Sequence, residues 1–242
     1  MYGWRARIAS ITATPTEHFA YEFYKVAPPG VVCIPTCVYV DKVEKEELDK
    51  QRAELLNVVK NLAMAEVDYI IVGGAPMIFV AGFGEDKRLL AELEKITPIP
   101  ATTDITCTMD AFDYLGVKKI AIATPLKDAV NQKLKAYLEH DGYQVLAIKN
   151  LDILRNVDIT RLPQEASYKI AREAYLAAPE AEAIYLPCAV WPSLENIDAM
   201  EQDFGIPVVT NFATKYWAAM RALKIRQPLK GYGKLLESLS EA

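Results

Sequence analysis

The chain repeats itself once, and that repeat constrains its fold more than any other feature. Asp68-Tyr-Ile-Ile-Val-Gly-Gly74-Ala-Pro76 matches Glu182-Ala-Ile-Tyr-Leu-Pro-Cys188-Ala-Val190 at an offset of 114 residues. Ile8-Ala-Ser-Ile-Thr12 matches Ile120-Ala-Ile-Ala-Thr124 at 112, and Ile99-Pro100-Ala-Thr-Thr103 matches Ile206-Pro207-Val-Val-Thr210 at 107. Three matches in one order, at similar offsets, describe two similar halves related by a pseudo-twofold axis. Corresponding strand ends then face each other across a cleft. In open α/β sheets a ligand lies beyond the carboxyl ends of the strands. Gly74 and Cys188 occupy matched strand ends, so both are expected to face one bound molecule.

The two halves are of α/β type. Short apolar runs predict buried strands at Arg7–Thr12, Val31–Ile34, Tyr69–Val72, Lys119–Ala123, Tyr143–Ile148, Ala183–Leu186 and Pro207–Val209. Between them, apolar residues recur with the helical period in Glu46–Ala65 (Leu48, Leu55, Leu56, Val59, Leu62), Ala129–Leu138, Gln164–Ala178, Leu194–Phe204 and Phe212–Leu223. Such alternation implies parallel sheets covered by helices. No Gly-x-Gly-x-x-Gly follows the first strand and no Walker loop occurs, so neither a dinucleotide nor ATP is expected.

Composition narrows the chemistry. With 52% hydrophobic residues in 242, the chain has ample core, and its net charge of −5 with no basic cluster argues against a nucleic-acid partner. The N-terminus lacks a signal-peptide pattern and no apolar run approaches the roughly 18 residues of a membrane span, so a cytoplasmic protein with free thiols is expected. His18 and His140 are the only histidines, which argues against a histidine-rich metal site or a serine–histidine relay. Of the four cysteines, Cys33 and Cys37 lie four apart without the partners of a zinc pattern.

The order and spacing of several segments resemble the aspartate/glutamate racemase superfamily, in particular its arylmalonate decarboxylase and maleate cis-trans isomerase branch. They are Glu22-Phe-Tyr24, Ala27–Val31, Gly73-Gly74, Leu115–Pro125, Asp128-Ala-Val-Asn131, Cys188, Gly205–Val209 and Gly231–Leu235. The resemblance implies two pseudo-symmetric lobes, each a parallel four-stranded sheet flanked by helices, with the active site in the cleft between them. Residues 1–117 plus 213–242 are expected to form the first lobe and residues 118–212 the second. It also implies a cofactor-independent enzyme with no metal, acting on a small carboxylate as a monomer or small homo-oligomer.

In the racemases and maleate isomerases two cysteines face each other, one per half. Here Cys188 is present, whereas Gly74 stands where the first would be. A glycine opposite one cysteine resembles arylmalonate decarboxylase. Racemisation needs a base on one face and an acid on the other; decarboxylation makes its own carbanion and needs one proton donor. An ordinary thiol, with a pKa near about 8.5, is mostly protonated at neutral pH and can donate without an activating partner. Cys188 is therefore the expected catalytic residue, and Cys33, Cys37 and Cys107 are read as packing.

The expected substrate-binding residues are Gly73, Gly74, Ala75, Pro76, Thr14, Thr16, Leu126, Ala189 and Val190. Several depart from the family pattern. Ala75 and Pro76 replace a threonine and a serine, Leu126 replaces a tyrosine, and Thr16 aligns with an asparagine. Pro76 lacks a backbone N–H, and losing one oxyanion donor can cost about 100- to 1000-fold in rate. Backbone amides at Ala75, Ala189 and Val190, with the hydroxyls of Thr14 and Thr16, are the donors that remain. The apolar stretches Ala75–Val80 and Leu186–Trp191 suit a substrate with an apolar or aromatic substituent. Asp104, or Glu17 with His18, can add acid–base groups. Three functions fit: decarboxylation of a small malonate-like acid with Cys188 protonating the enediolate; isomerisation or racemisation using Cys188 and a non-cysteine partner; and small-molecule binding without catalysis.

Overall fold

The computed structural model describes residues 2–39 and 45–240, with the side chains of 45–49 left aside. Leu48, one of the apolar positions of the first long helical pattern, falls outside the described side chains.

The first half runs β1 (Ala6–Thr12), α1 (His18–Val26), β2 (Val31–Cys37), α2 (Lys45–Met64), β3 (Tyr69–Val72), α3 (Ala75–Ala81), α4 (Glu85–Glu94), β4 (Ala101–Thr103) and α5 (Asp104–Leu115). The second runs β5 (Lys119–Thr124), α6 (Asp128–His140), β6 (Gln144–Asn150), α7 (Asn156–Ile159), α8 (Glu165–Ala177), β7 (Ala183–Leu186), a 3-10 turn at Leu194–Asn196, α9 (Ile197–Phe204), β8 (Val208–Thr210) and α10 (Asn211–Ala222). A short α11 (Lys234–Glu237) and a 3-10 turn at Ser238–Ser240 follow.

Each half builds one parallel four-stranded sheet, ordered β2-β1-β3-β4 and β6-β5-β7-β8. The halves share devices as well as topology. Asp68, just before β3, accepts the Arg7 N–H of β1 at 2.7 Å; its match Glu182, before β7, accepts the Lys118 and Lys119 N–H groups at 2.7 and 3.0 Å. Thr103 and Thr210 end the fourth strands and cap α5 and α10, their hydroxyls accepting from Thr106 N and Ala213 N. A threonine at the N-cap satisfies one of the four free amides of a helix start.

The central strands β3 and β7 are buried at every residue, as strands covered on both faces must be. α10 packs on α5 and touches β3, β4 and α1 besides its own β8. Buried polar ties cross between the halves. Tyr137 of α6 donates to Asp86 of α4 at 2.6 Å, and Tyr143 donates to the Met109 carbonyl of α5 at 3.1 Å. Glu22 of α1 accepts the N–H groups of Ser193 and Leu194 at 3.2 and 3.1 Å. Among the described residues no helix is long and apolar enough to cross a membrane.

Candidate active site

The two matched turns after β3 and β7 differ in how the backbone is held. After β3, Gly73 and Gly74 have steric reasons to be glycine. A Cβ on Gly73 would lie 2.6 Å from the Ile11 carbonyl oxygen, and Gly74 sits at φ +95°. After β7, Cys188 takes φ +149°, a region that a residue with a Cβ enters only at a cost of order 1–3 kcal/mol. Such strain persists only where the surroundings impose it, and it clusters at functional sites.

Cys188 is half-buried, with its free thiol beside apolar neighbours. Burial pushes the thiol up to about 12, while the Val190 N–H and the Lys215 charge pull it down and Asp104 pushes it further up. The group therefore stays a protonated thiol across the physiological range. The Val190 amide, one of the expected substrate donors, already points at this sulfur.

The Ala75 amide is likewise engaged. Gly74 N–H and Ala75 N–H both donate to Asp104 Oδ2, at 2.8 and 3.2 Å. Asp104 is thus neither a solvated cap nor a free acid–base group; its other oxygen lies 2.9 Å from Lys215 Nζ, and both side chains are buried. Pro76 occupies the first turn of α3, where its missing N–H costs nothing. Leu126 N–H donates to Thr124 Oγ1, and Asn131 ties the same loop by donating to the Leu126 carbonyl and accepting from Thr124 Oγ1. This network gives the Asp128-Ala-Val-Asn131 segment its physical role: it holds the turn after β5.

In the first loop, Thr14 Oγ1 accepts from Asn156 Nδ2 at 2.8 Å and Thr16 Oγ1 accepts from the His18 N–H at 3.1 Å. The Thr14 hydroxyl keeps its own proton for another acceptor, whereas Thr16 Oγ1 also lies 3.5 Å from His18 Nδ1, and either atom can donate. Glu17 is exposed and His18 buried, with burial holding the imidazole below its usual value. Ala189, partly exposed, lies next to Cys188 in the same turn. Cys33 and Cys107 are buried, and burial pushes each thiol up to about 12. Cys37, at the end of β2, is partly exposed. Among the described residues no group of three or more His, Cys, Asp or Glu side chains converges to hold a metal.

Motif reading does not mark Lys215, and it marks Glu22 only within the Glu22-Phe-Tyr24 segment, with no role of its own. Lys215 is fully buried in the middle of α10. Its signal is a lysine within three or four residues of Phe212, Ala219 and Tyr216 on an otherwise apolar helix. Glu22 is buried with Oε2 unpartnered, and burial raises it to about 7 against the Leu194 and Ser193 amides, Lys25 and Lys215.

Two copies of one parallel unit, with a cysteine after one central strand and a glycine after its match, define a class: pseudo-symmetric α/β proteins built on two parallel four-stranded sheets. The sequence profile of the arylmalonate decarboxylase family matches residues 28–236, and the chain belongs to that family. The arylmalonate decarboxylase of Bordetella bronchiseptica is 25% identical over 213 residues, 86% of this chain and 88% of that protein. The maleate isomerase of Nocardia farcinica (strain IFM 10152) is 24% identical over 200 residues, 80% of this chain and 79% of its own length. A Cys-to-Ser variant of the Nocardia farcinica maleate cis-trans isomerase, solved with a covalently bound succinylcysteine intermediate, superposes with a TM-score of 0.87 at 21% identity, over 96% of this chain and 98% of that one. The expected fold of two four-stranded parallel sheets flanked by helices is the fold of these relatives.

Proposed function

We propose that the protein is a cofactor-independent lyase that decarboxylates a small malonate-like acid bearing an apolar or aromatic substituent. The cleft lies between a lobe of residues 1–117 plus 213–242 and a lobe of residues 118–212. One observation carries the reading: a single thiol held in its protonated form follows β7, and a glycine stands at the matched end of β3. The C–C bond to one carboxylate breaks, carbon dioxide leaves, and its electron pair stays on the α-carbon as an enediolate. Cys188 Sγ gives its proton to that carbon, and water returns a proton to the thiolate. One donor on one face suffices, and it delivers the proton with one handedness. Gly73, Gly74, Ala75 and Pro76 shape the opposite wall, and Ala189 N–H with the Thr14 and Thr16 hydroxyls supplies donors to the oxyanion. With Ala75 and Val190 amides engaged, those three groups carry that role. Ile78 and Phe79, on the helix that follows the glycine turn, and Trp191, just after the Cys188 turn, are buried apolar residues that suit such a substituent. The protein acts in the cytoplasm, as a monomer or small homo-oligomer.

The isomerase relatives support a second reading, in which Cys188 as thiolate adds to a double bond and leaves after rotation. A thiol raised to about 12 is poorly suited to that step. Incubation with phenylmalonate and with maleate separates the two. The lyase releases carbon dioxide from the first and leaves the second unchanged; formation of fumarate without carbon dioxide would replace the lyase by the isomerase. Binding of either compound without turnover would leave a binding protein.

A further inference from the structure

The repeat places α5 and α10 side by side, each opened by a threonine cap, yet the residue after each cap differs: Asp104 in one, Asn211 in the other. Asp104 is 3% exposed. Its Oδ2 accepts both amides of the Gly74–Ala75 turn and its Oδ1 lies 2.9 Å from Lys215 Nζ. Lys215 is 0% exposed, and among the described residues its ammonium has no acceptor besides that ion pair. The same Nζ stands 3.6 Å from where a Cβ on Gly73 would be, and 5.1 Å from the Phe19 ring centre.

A full positive charge thus lies directly beneath the glycine turn, and a full negative charge holds that turn's amides. A carboxylate substrate resting over the turn would meet Asp104 at short range. Lys215, ion-paired with Asp104 at 2.9 Å, offsets that repulsion. Lys215 also acts electrostatically on Cys188, lowering its thiol while Asp104 raises it. Burying a charged pair is costly and is weak as a stabilising device, so its location under the turn calls for another reason.

We propose that Asp104 and Lys215 are the positioning pair of this cleft: the carboxylate fixes the Gly73–Gly74 turn opposite Cys188, and the buried ammonium makes that turn accept an anionic group. The inference rests on the reading of Cys188 as the cleft thiol. Neither residue touches the reacting atoms.

The test uses two alkylating probes of equal reach and different charge, iodoacetate and iodoacetamide, on the full-length protein at pH 9, with modification of the Cys188 peptide followed by mass spectrometry. The thiolate fraction enters both rates equally, so their ratio reads the local charge alone. Lys215→Met leaves an unpaired carboxylate beneath the turn and lowers the iodoacetate-to-iodoacetamide ratio about tenfold, the effect of one charge several ångströms away at an effective dielectric of roughly 20 to 40. Asp104→Asn keeps an oxygen for the Gly74 and Ala75 amides, leaves the ammonium unopposed, and raises the ratio by a similar factor. The double variant returns it to near the parent value. If Lys215→Met fails to fold, Asp104→Asn and the double variant decide the matter. A ratio unmoved by Asp104→Asn and the same in the double variant removes the pair from anion recognition while Cys188 keeps its place. A Cys188 that neither probe reaches in the parent protein overturns the cleft-thiol reading, and the pair falls with it.

Discussion

Replacing Glu22 by glutamine should change stability in a way that depends on pH. Glu22 links the halves: from α1 it accepts the Ser193 and Leu194 amides that follow the Cys188 turn, and its second oxygen is buried without a partner. Its carboxyl titrates at about 7 in the folded chain, against an ordinary value of 4.5, with desolvation the largest cause. The folded protein therefore holds this proton more tightly than the unfolded chain does. The resulting stability is complete below about pH 4.5 and is lost as pH rises through about 7. The interval between 4.5 and about 7 corresponds to about 3 kcal/mol. Glutamine keeps an oxygen for the two amides and does not titrate. Its new amide group adds a cost that is the same at every pH, so the difference between the two proteins isolates the carboxyl. Urea denaturation of both at pH 5 and pH 8 should show the parent losing about 2.5 kcal/mol relative to Glu22→Gln across that range, since part of the interval is already crossed at pH 5. A difference that stays constant within about 0.5 kcal/mol would mean the carboxyl is already ionised in the fold, and the desolvation argument would be wrong.

The strained backbone at Cys188 predicts an inverted order of stability. Glycine is usually about 0.5–1 kcal/mol worse than alanine inside an element, but at φ +149° Cys188→Gly should be at least about 1 kcal/mol more stable than Cys188→Ala by urea midpoint, and the normal order would remove the strain. Exchanging the two strand ends, as Gly74→Cys with Cys188→Gly, should invert the product's configuration on chiral chromatography; unchanged handedness in an active variant would show that the turns do not oppose each other. That exchange costs stability, because the new Cβ meets Ala13 Cβ at 3.0 Å and Met77 Cε at 3.3 Å. Turnover should survive exhaustive chelation and dialysis, since the site offers no converging metal ligands among the described residues; recovery only on adding a metal or nucleotide would contradict this.

The legible parts of the fold are those whose burial is continuous or strictly periodic. Tyr69–Val72 and Ala183–Leu186 are strands with the bounds their apolar runs predict, and the helices around Ala129–Leu138, Gln164–Ala178 and Phe212–Leu223 differ from expectation by one or two residues at each end. The strand Ala101–Thr103 is three residues long, too short for a hydropathy signal, and shows only through its match with Val208–Thr210. α5 escapes the 3.6-residue pattern because it is buried on several sides, with Asp104, Cys107 and Thr108 inside along with Ile105 and Phe112. α4 escapes because its apolar stripe is just Leu89 and Leu93, while Arg52 binds its Glu85 and Glu92 side chains from another helix.

The candidate site was half legible for the same reason. Cys188 and Gly74 follow from the repeat, because both lie at strand ends that local sequence defines. The Asp104–Lys215 pair joins residues far apart in the chain, and no local pattern marks either as paired. The donors expected at Ala75 and Val190 are valid amides on the sequence, but a tertiary contact with Asp104 engages the first and the turn's own geometry aims the second at the Cys188 sulfur.

The most direct measurement is the rate of carbon dioxide release and of α-carbon deuteration in heavy water by Cys188→Ser, with phenylmalonate as substrate and its affinity measured alongside. A serine hydroxyl is a far weaker acid than a thiol and nearly the same size. The account predicts that both rates fall together by at least about 1000-fold while affinity changes less than about threefold, as expected for a group that acts only in the transition state. Turnover and deuteration at the parent rate would take the cysteine out of the mechanism.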